Sequence, residues 1–258
     1  MGSPVMGKDQ AGHRCHPTTI DALDRLAEAP ERAAIVLDVD GTLAPIVPRP
    51  EDARVPAETQ RELERLLGRY ALVACLSGRT GEDAARVVDV EGIRYVGVHG
   101  LELAPEAERW RDALAELAGS VEWPEDETED KGLSVSFHFR RADDQAAARA
   151  QLDQVAERAR SAGLVPHFGR KVLEVRPPVE ADKGTAVERL VSEAGVSRAL
   201  YAGDDTTDLD AFRGLDRCGV ELAVRVAVAS DEAPPDLLER ADLVVGGPGE
   251  LLGLLQCL

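Results

Sequence analysis

The chain has 258 residues, 44% of them apolar and only 3% aromatic, with 48 acidic against 30 basic side chains and a formal net charge of −18. That length accommodates one large domain, or a core carrying a smaller insertion, with an interior built from Leu, Val and Ala. So acidic a chain is repelled by nucleic acid and anionic membranes, and an anionic substrate would have to be drawn in by local cations, a metal or aligned N–H groups.

Residues 1–30 read as an N-terminal extension, partly flexible. They contain no apolar stretch that could act as a signal sequence, and no apolar run anywhere nears the roughly 18 residues of a membrane span. Cys15, Cys75, Cys218 and Cys257 are scattered without a CxxC pair, which points to reduced thiols and a cytoplasmic setting. His13, Cys15 and His16 fall in a polar tail without a fixed frame, so a metal site there is not expected.

The first apolar run, residues 33–37, predicts a strand that ends at Asp38. It opens the segment Leu37-Asp38-Val39-Asp40-Gly41-Thr42. Residues i and i+2 at a strand end point to one side, so both carboxylates can face one reacting centre. One can attack as a nucleophile while the other moves a proton. Gly41 lets the backbone turn and offer N–H groups to a phosphate. The bland alternative is an Asp- and Gly-rich loop after a strand.

Residues 55–70 have helical spacing, and 72–76 form the next strand-like run, ending at Ser77-Gly78-Arg79. A Ser hydroxyl and its neighbouring N–H can hold a phosphoryl oxygen, although SGR alone more often marks a turn or a helix cap. Arg79 could meet phosphate or sugar hydroxyls. Residues 81–88 read as a helix and 94–98 as a third strand, ending at His99-Gly100. This βαβαβ order predicts an α/β fold with a Rossmann-like parallel sheet, whose ligands bind beyond the carboxyl ends of the strands.

The middle of the chain changes character. Residues 105–117 read as helix, 121–131 as an acidic loop, and 134–140 as a half-buried strand. A long Ala-rich helix over 143–162 and two strands over 164–168 and 171–175 complete a small α+β block. Pro177-Pro178 makes a stiff exit. The α/β pattern then resumes, with helices over 183–194 and 208–215, strands over 198–202, 220–228 and 243–245, and a short last helix. The expected organisation is a discontinuous core, 31–101 and 180–258, with an inserted block over 102–179.

Asp182-Lys183-Gly184 opens the helix after that block. Asp182 can cap it, and Lys183 supplies a cation, although a lone Lys in a first turn is usually solvated. Gly203-Asp204-Asp205-Thr206-Thr207-Asp208 is a second acidic loop beyond a strand. With Asp38 it makes an oxygen-ligand cluster that suits Mg²⁺. Helix capping by Asp205 or Thr206 explains part of it, but not the stacking of like charges against Asp38.

Asp38-x-Asp40-Gly41-Thr42, Ser77, Lys183 and Gly203-Asp204-Asp205-x-x-Asp208, in that order, resemble the four motifs of the haloacid dehalogenase superfamily. The insertion between the second and third resembles its type 2 cap. More narrowly, LDVDGTLAPI, LSGR, VGVHGLEL, DKGLSVSFHFR, GRKVLEVRP, DKG and GDDTTDLDAF resemble the trehalose-6-phosphate phosphatase family over roughly residues 33–246. Leu209 departs from it, standing where that family often carries Glu.

The resemblance implies that Asp38 attacks phosphorus and Asp40 protonates the leaving oxygen. It implies Mg²⁺ on Asp38, the Asp40 carbonyl and Asp204, with Asp205 or Asp208 reaching bound waters, and Ser77 and Lys183 on the phosphoryl group. Candidate substrate contacts are Thr42, Gly78, Arg79, His99 and Glu102 in the core and Lys131, His138, Arg140, Arg170, Lys171, Glu174 and Arg176 in the cap. Lys171 and Glu174 can share a pocket only if the strand bends between them. The expected partner is a small phosphosugar, with no nucleic acid or membrane, and the chain itself is expected to be a monomer. The competing readings are a phosphatase for another disaccharide, pseudo-disaccharide or glycosyl-glycerol phosphate, a phosphomutase, and a non-catalytic sugar-phosphate sensor.

Overall fold

The computed structural model describes residues 17–169, 171–230 and 233–258, so His13, Cys15, His16 and Arg170 lie outside the described residues. The chain runs α1 (Pro17–Glu28), β1 (Ala33–Leu37), α2 (Ala57–Leu67), β2 (Leu72–Leu76), α3 (Gly81–Val88) and β3 (Arg94–Val96). Then come α4 (Arg111–Gly119), β4 (Thr128–Asp130), β5 (Val135–His138), α5 (Gln145–Ser161), β6 (Val165–Gly169) and β7 (Val172–Arg176). It closes with α6 (Lys183–Ala194), β8 (Arg198–Gly203), α7 (Asp208–Arg217), β9 (Leu222–Val228), α8 (Pro235–Arg240), β10 (Leu243–Val245) and α9 (Pro248–Leu255).

Six strands form a parallel sheet in the order β10-β9-β8-β1-β2-β3. All five residues of β1 are buried, as expected of a central parallel strand covered on both faces. Ala33, Ile35 and Leu37 face one apolar layer with Leu26, Leu63, Leu66 and Leu251. Ala34 and Val36 face the other, with Leu190, Tyr201 and Phe212. Leu23 and Leu26 of α1 are buried in the first layer, so this part of the predicted extension is packed. Chain connections run outward in opposite directions from β1, through β2 and β3 on one side and β8 to β10 on the other. The crevice between β1 and β8 is therefore the topological switch point, where ligands bind in open α/β sheets.

The inserted block has its own antiparallel sheet, ordered β4-β5-β7-β6. Val135, Phe137, Leu173 and Val175 turn inward onto α4 and α5, against Leu114, Leu152 and Val155. The polar alternates take the opposite face.

Three local expectations change. The strand over 94–98 stops at Val96, because Val98 and His99 adopt left-handed backbones (φ 49° and 52°). The helix over 105–117 is divided into a 3₁₀ segment, Pro105–Trp110, and α4. The acidic loop over 121–131 contains β4, an edge strand paired with β5; its charges suit an exposed edge, which hid it from a hydrophobic pattern.

Candidate active site

Asp38 directly follows β1 and Asp204 directly follows β8, which places them side by side at the switch point. Asp38 is buried, and its backbone N–H donates to the Ala202 carbonyl at 2.9 Å. Gly41 (φ 83°) turns the chain here, and a Cβ at this position would collide with the Asp204 carboxylate. The hydroxyl of buried Thr42 donates to Asp204 Oδ1 at 3.2 Å.

Lys183 is the first residue of α6 and only 2% exposed. A capping box holds that helix start: Asp182 accepts from the Thr185 N–H, and the Thr185 hydroxyl accepts from the Asp182 N–H. Lys183 Nζ donates to Asp38 Oδ1 and to Asp208 Oδ1, both at 2.7 Å, and lies 4.0 Å from Asp205. Burial works to discharge this ammonium, but Asp208 and Asp38 outweigh it and hold its pKa above the ordinary value.

Asp208 is fully buried and its oxygens are committed. Oδ1 accepts from Lys183 and, at 2.6 Å, from the Tyr201 hydroxyl. Oδ2 accepts from the N–H groups of Asp204 and Asp205 at 2.8 and 2.9 Å. Asp205 is exposed and accepts from the N–H and hydroxyl of Thr207, shaping the start of α7. Leu209, the departure noted above, is buried in the apolar layer beside Phe212.

Asp38, Asp204 and Asp208 each offer an oxygen within 4.8 Å of the others. Burial pushes all three carboxyls up; Asp204 reaches about 7, with Asp208 and Asp205 adding to the rise. One ammonium does not neutralise this cluster. A hard-oxygen set with excess negative charge fits a divalent cation of the Mg²⁺ type.

Around it opens a cleft of about 330 Å³, within the roughly 300–1,000 Å³ of small-ligand pockets. It brings together Asp38, Asp40, Ser77, Gly78, Arg79, His99, Lys183 and Asp205 from the core with Lys131 from the inserted block. The Ser77 oxygen accepts from the Arg79 N–H at 3.1 Å. Gly78 leaves room for the His99 ring. Burial, then Lys183, Lys131 and Arg176, pull the His99 pKa down to about 3, so the ring is neutral, and its Nδ1 is buried without a partner among the described residues.

Other predicted contacts lie elsewhere. The Glu102 carboxylate accepts from the N–H groups of Gly81 and Gly97 at 2.8 and 2.7 Å, bracing the turn that carries His99. Arg140 is exposed outside the cleft lining. Lys171 has a left-handed backbone (φ 66°) just before β7, which runs unbroken through Glu174, and its ammonium donates to Gln145. Arg176 donates to the Ala181 carbonyl at 2.8 Å, across the exit from the block.

Sequence reading missed Glu129, which lines the cleft and lies 3.5 Å from both Lys131 Nζ and His138 Nε2. Its i, i+2 spacing to Lys131 was the available signal, obscured by the acidic run around it. Ile46, Val47 and Pro50, which also line the cleft, were missed as well. Glu129, Ser136, Glu174 and His167 are register partners across the four strands, so they form one polar row on the face of that sheet opposite its apolar core.

The family model for trehalose-phosphatase matches residues 36–235. The chain belongs to the trehalose-phosphatase family. It is 37% identical over 224 residues to a trehalose-phosphate phosphatase of Mycolicibacterium paratuberculosis, covering 74% of this chain and 54% of that one. It is 34% identical over 221 residues to a Mycobacterium tuberculosis protein named as an uncharacterized glycosyl hydrolase, covering 75% of this chain and 16% of that one. The chain thus spans about half, or far less, of the length of these relatives. A crystal structure of a trehalose-6-phosphate phosphatase related protein superposes with a TM-score of 0.68 at 24% identity, over 86% of this chain and 95% of that one. The fold, a doubly wound core with an inserted α+β unit, is shared with that structure and with a haloacid dehalogenase-like hydrolase from Bacteroides thetaiotaomicron (TM-score 0.57 at 15% identity, over 87% of this chain and 98% of that one).

Proposed function

We propose that this chain hydrolyses trehalose 6-phosphate to trehalose and phosphate through an aspartyl-phosphate on Asp38. The observation that carries the reading is the buried contact of Lys183 with Asp38 at the switch point, beside Asp204 and within one cleft with Asp40 and Ser77. Membership of the trehalose-phosphatase family supports the choice of sugar. We assign residues 31–101 and 180–258 to the catalytic body and 102–179 to the cap.

In the first step an Asp38 oxygen attacks phosphorus. The new O–P bond forms as the ester P–O bond breaks, and the electron pair leaves on the sugar oxygen, which takes a proton from Asp40. In the second step water attacks the same phosphorus, Asp40 accepts its proton, and Asp38 is released. Lys183 and the Ser77 hydroxyl stabilise charge on the transferring group, the main source of catalysis in this chemistry. Asp38, Asp204 and the Asp40 carbonyl are suited to hold Mg²⁺, which when bound supplies positive charge to the phosphoryl oxygens. Asp208, with four donors on its oxygens, orders the Asp204–Asp205 loop and Lys183.

The cap row of Glu129, Ser136, Glu174 and His167, with Lys131 and His138 beside it, would read the sugar hydroxyls. Such groups penalise a wrong sugar by being left unpaired. A phosphosugar panel with Mg²⁺ tests this reading. Trehalose 6-phosphate should give the highest kcat/KM; a higher value for glucose 6-phosphate or sucrose 6-phosphate overturns the substrate, and no phosphate release from any member overturns the activity.

A further inference from the structure

We propose that Arg79 is a positioning residue whose guanidinium fixes the Asp40 carboxylate in the cleft, rather than a contact for phosphate or sugar; this rests on the assignment of Asp40 as the proton donor. Arg79 Nε donates to Asp40 Oδ2 at 2.7 Å and Nη2 donates to Asp40 Oδ1 at 2.8 Å. This two-point fork sets the plane of the carboxylate as well as its position, which a single bond or a point charge would not do.

The far end of the guanidinium is anchored too. Nη1 donates to Asp83 Oδ2 at 2.6 Å, and the other Asp83 oxygen accepts from Arg86 Nε and Nη2 at 2.9 and 2.6 Å. Asp83 lies in the first turn of α3, and its own N–H donates to the Thr80 hydroxyl that caps the helix. The main chain of Arg79 is held at both ends, its N–H on Ser77 Oγ and its carbonyl accepting from the Val98 N–H at 2.7 Å. A continuous line of contacts therefore runs from the rigid start of α3 to the Asp40 carboxylate.

Charge also favours this role. Asp40, Arg79, Asp83 and Arg86 alternate in sign and together carry no net charge, so Arg79 does not stand as an unpaired cation for a phosphate. Asp40 is one-third exposed and sits on a turn, where its side chain would otherwise sample several rotamers.

The test uses the dependence on the leaving group. An alkoxide leaving from trehalose 6-phosphate needs a proton; a nitrophenolate leaving from p-nitrophenyl phosphate does not. Arg79→Lys keeps the charge and loses the fork. In a single turnover, read before the water step that the two substrates share, it should slow trehalose release from trehalose 6-phosphate roughly 10- to 100-fold and nitrophenolate release from p-nitrophenyl phosphate by less than about threefold. Asp83→Asn, remote from the reacting atoms, should give the same split at smaller amplitude, and Asp40→Asn the largest. An equal loss in the two single-turnover release rates, or unchanged release rates with weaker substrate binding, overturns the proposal. A wild-type enzyme inactive on both substrates overturns the phosphatase reading, and this proposal with it.

Discussion

Burial pushes the pKa of Asp38 up, Lys183 opposes the rise, and Asp208 and Asp204 add to it. The proposed nucleophile is thus held in surroundings that resist its charge, and the ammonium 2.7 Å away opposes them. Asp38→Asn preserves the shape of the side chain while removing one of three crowded carboxylates. Phosphate release should fall on the order of 10⁴-fold or more. The melting temperature of the chelator-treated variant should equal or exceed that of the wild type, since Asp208 still partners Lys183. A stopped phosphate assay alongside a circular dichroism melt checks both; full activity in a folded variant removes Asp38 as the nucleophile.

At the scale of the element, α6 delivers Lys183 to the site because its first turn is fixed by the Asp182–Thr185 capping box. Asp182→Ala should cost about 1 kcal/mol of stability. It should also lower kcat more than it raises KM, because it displaces the ammonium that we propose serves the phosphoryl group in the transition state. An unfolding curve and steady-state kinetics on one preparation separate the two effects. The core elements were legible in the sequence because buried parallel strands read as unbroken apolar runs, each followed by its motif. Asp38 and Ser77 could therefore be placed on one edge and Asp204 beyond a further strand, whereas Lys183 opens a helix and was reached only through the order of the motifs. The cap was less legible. Its β4 is three residues long, two of them acidic, and the polar row Glu129–Ser136–Glu174–His167 depends on cross-strand register, which no local pattern encodes. Arg79 and Glu102 were recognisable as functional types, but their partners, Asp40 across the cleft and the Gly81 and Gly97 N–H groups, are set by tertiary contacts.

At the scale of the whole molecule, stability, metal and pH are linked through the acidic cluster. Asp38, Asp204 and Asp208 all have folded-state pKa values raised above the ordinary 3.8, Asp204 to about 7. Between those values the folded state binds more protons than the unfolded chain, so these groups make stability fall as pH rises through the window. A divalent cation held by the cluster would offset that loss. Mg²⁺ should therefore raise the melting temperature more at about pH 8 than at about pH 6. Scanning calorimetry with chelator or Mg²⁺ measures the difference; an equal rise at both values contradicts the coupling. No helix among the described residues is long and apolar enough to cross a membrane.

The central claim is that phosphate passes through Asp38, and chemical trapping tests it most directly. The protein is mixed with trehalose 6-phosphate and Mg²⁺, quenched in acid within one turnover, reduced with borohydride and mapped by peptide mass spectrometry. The predicted result is a reduced side chain at Asp38, with Asp40 unmodified. Modification at Asp40, or a burst of sugar release with no label on the protein, would contradict it.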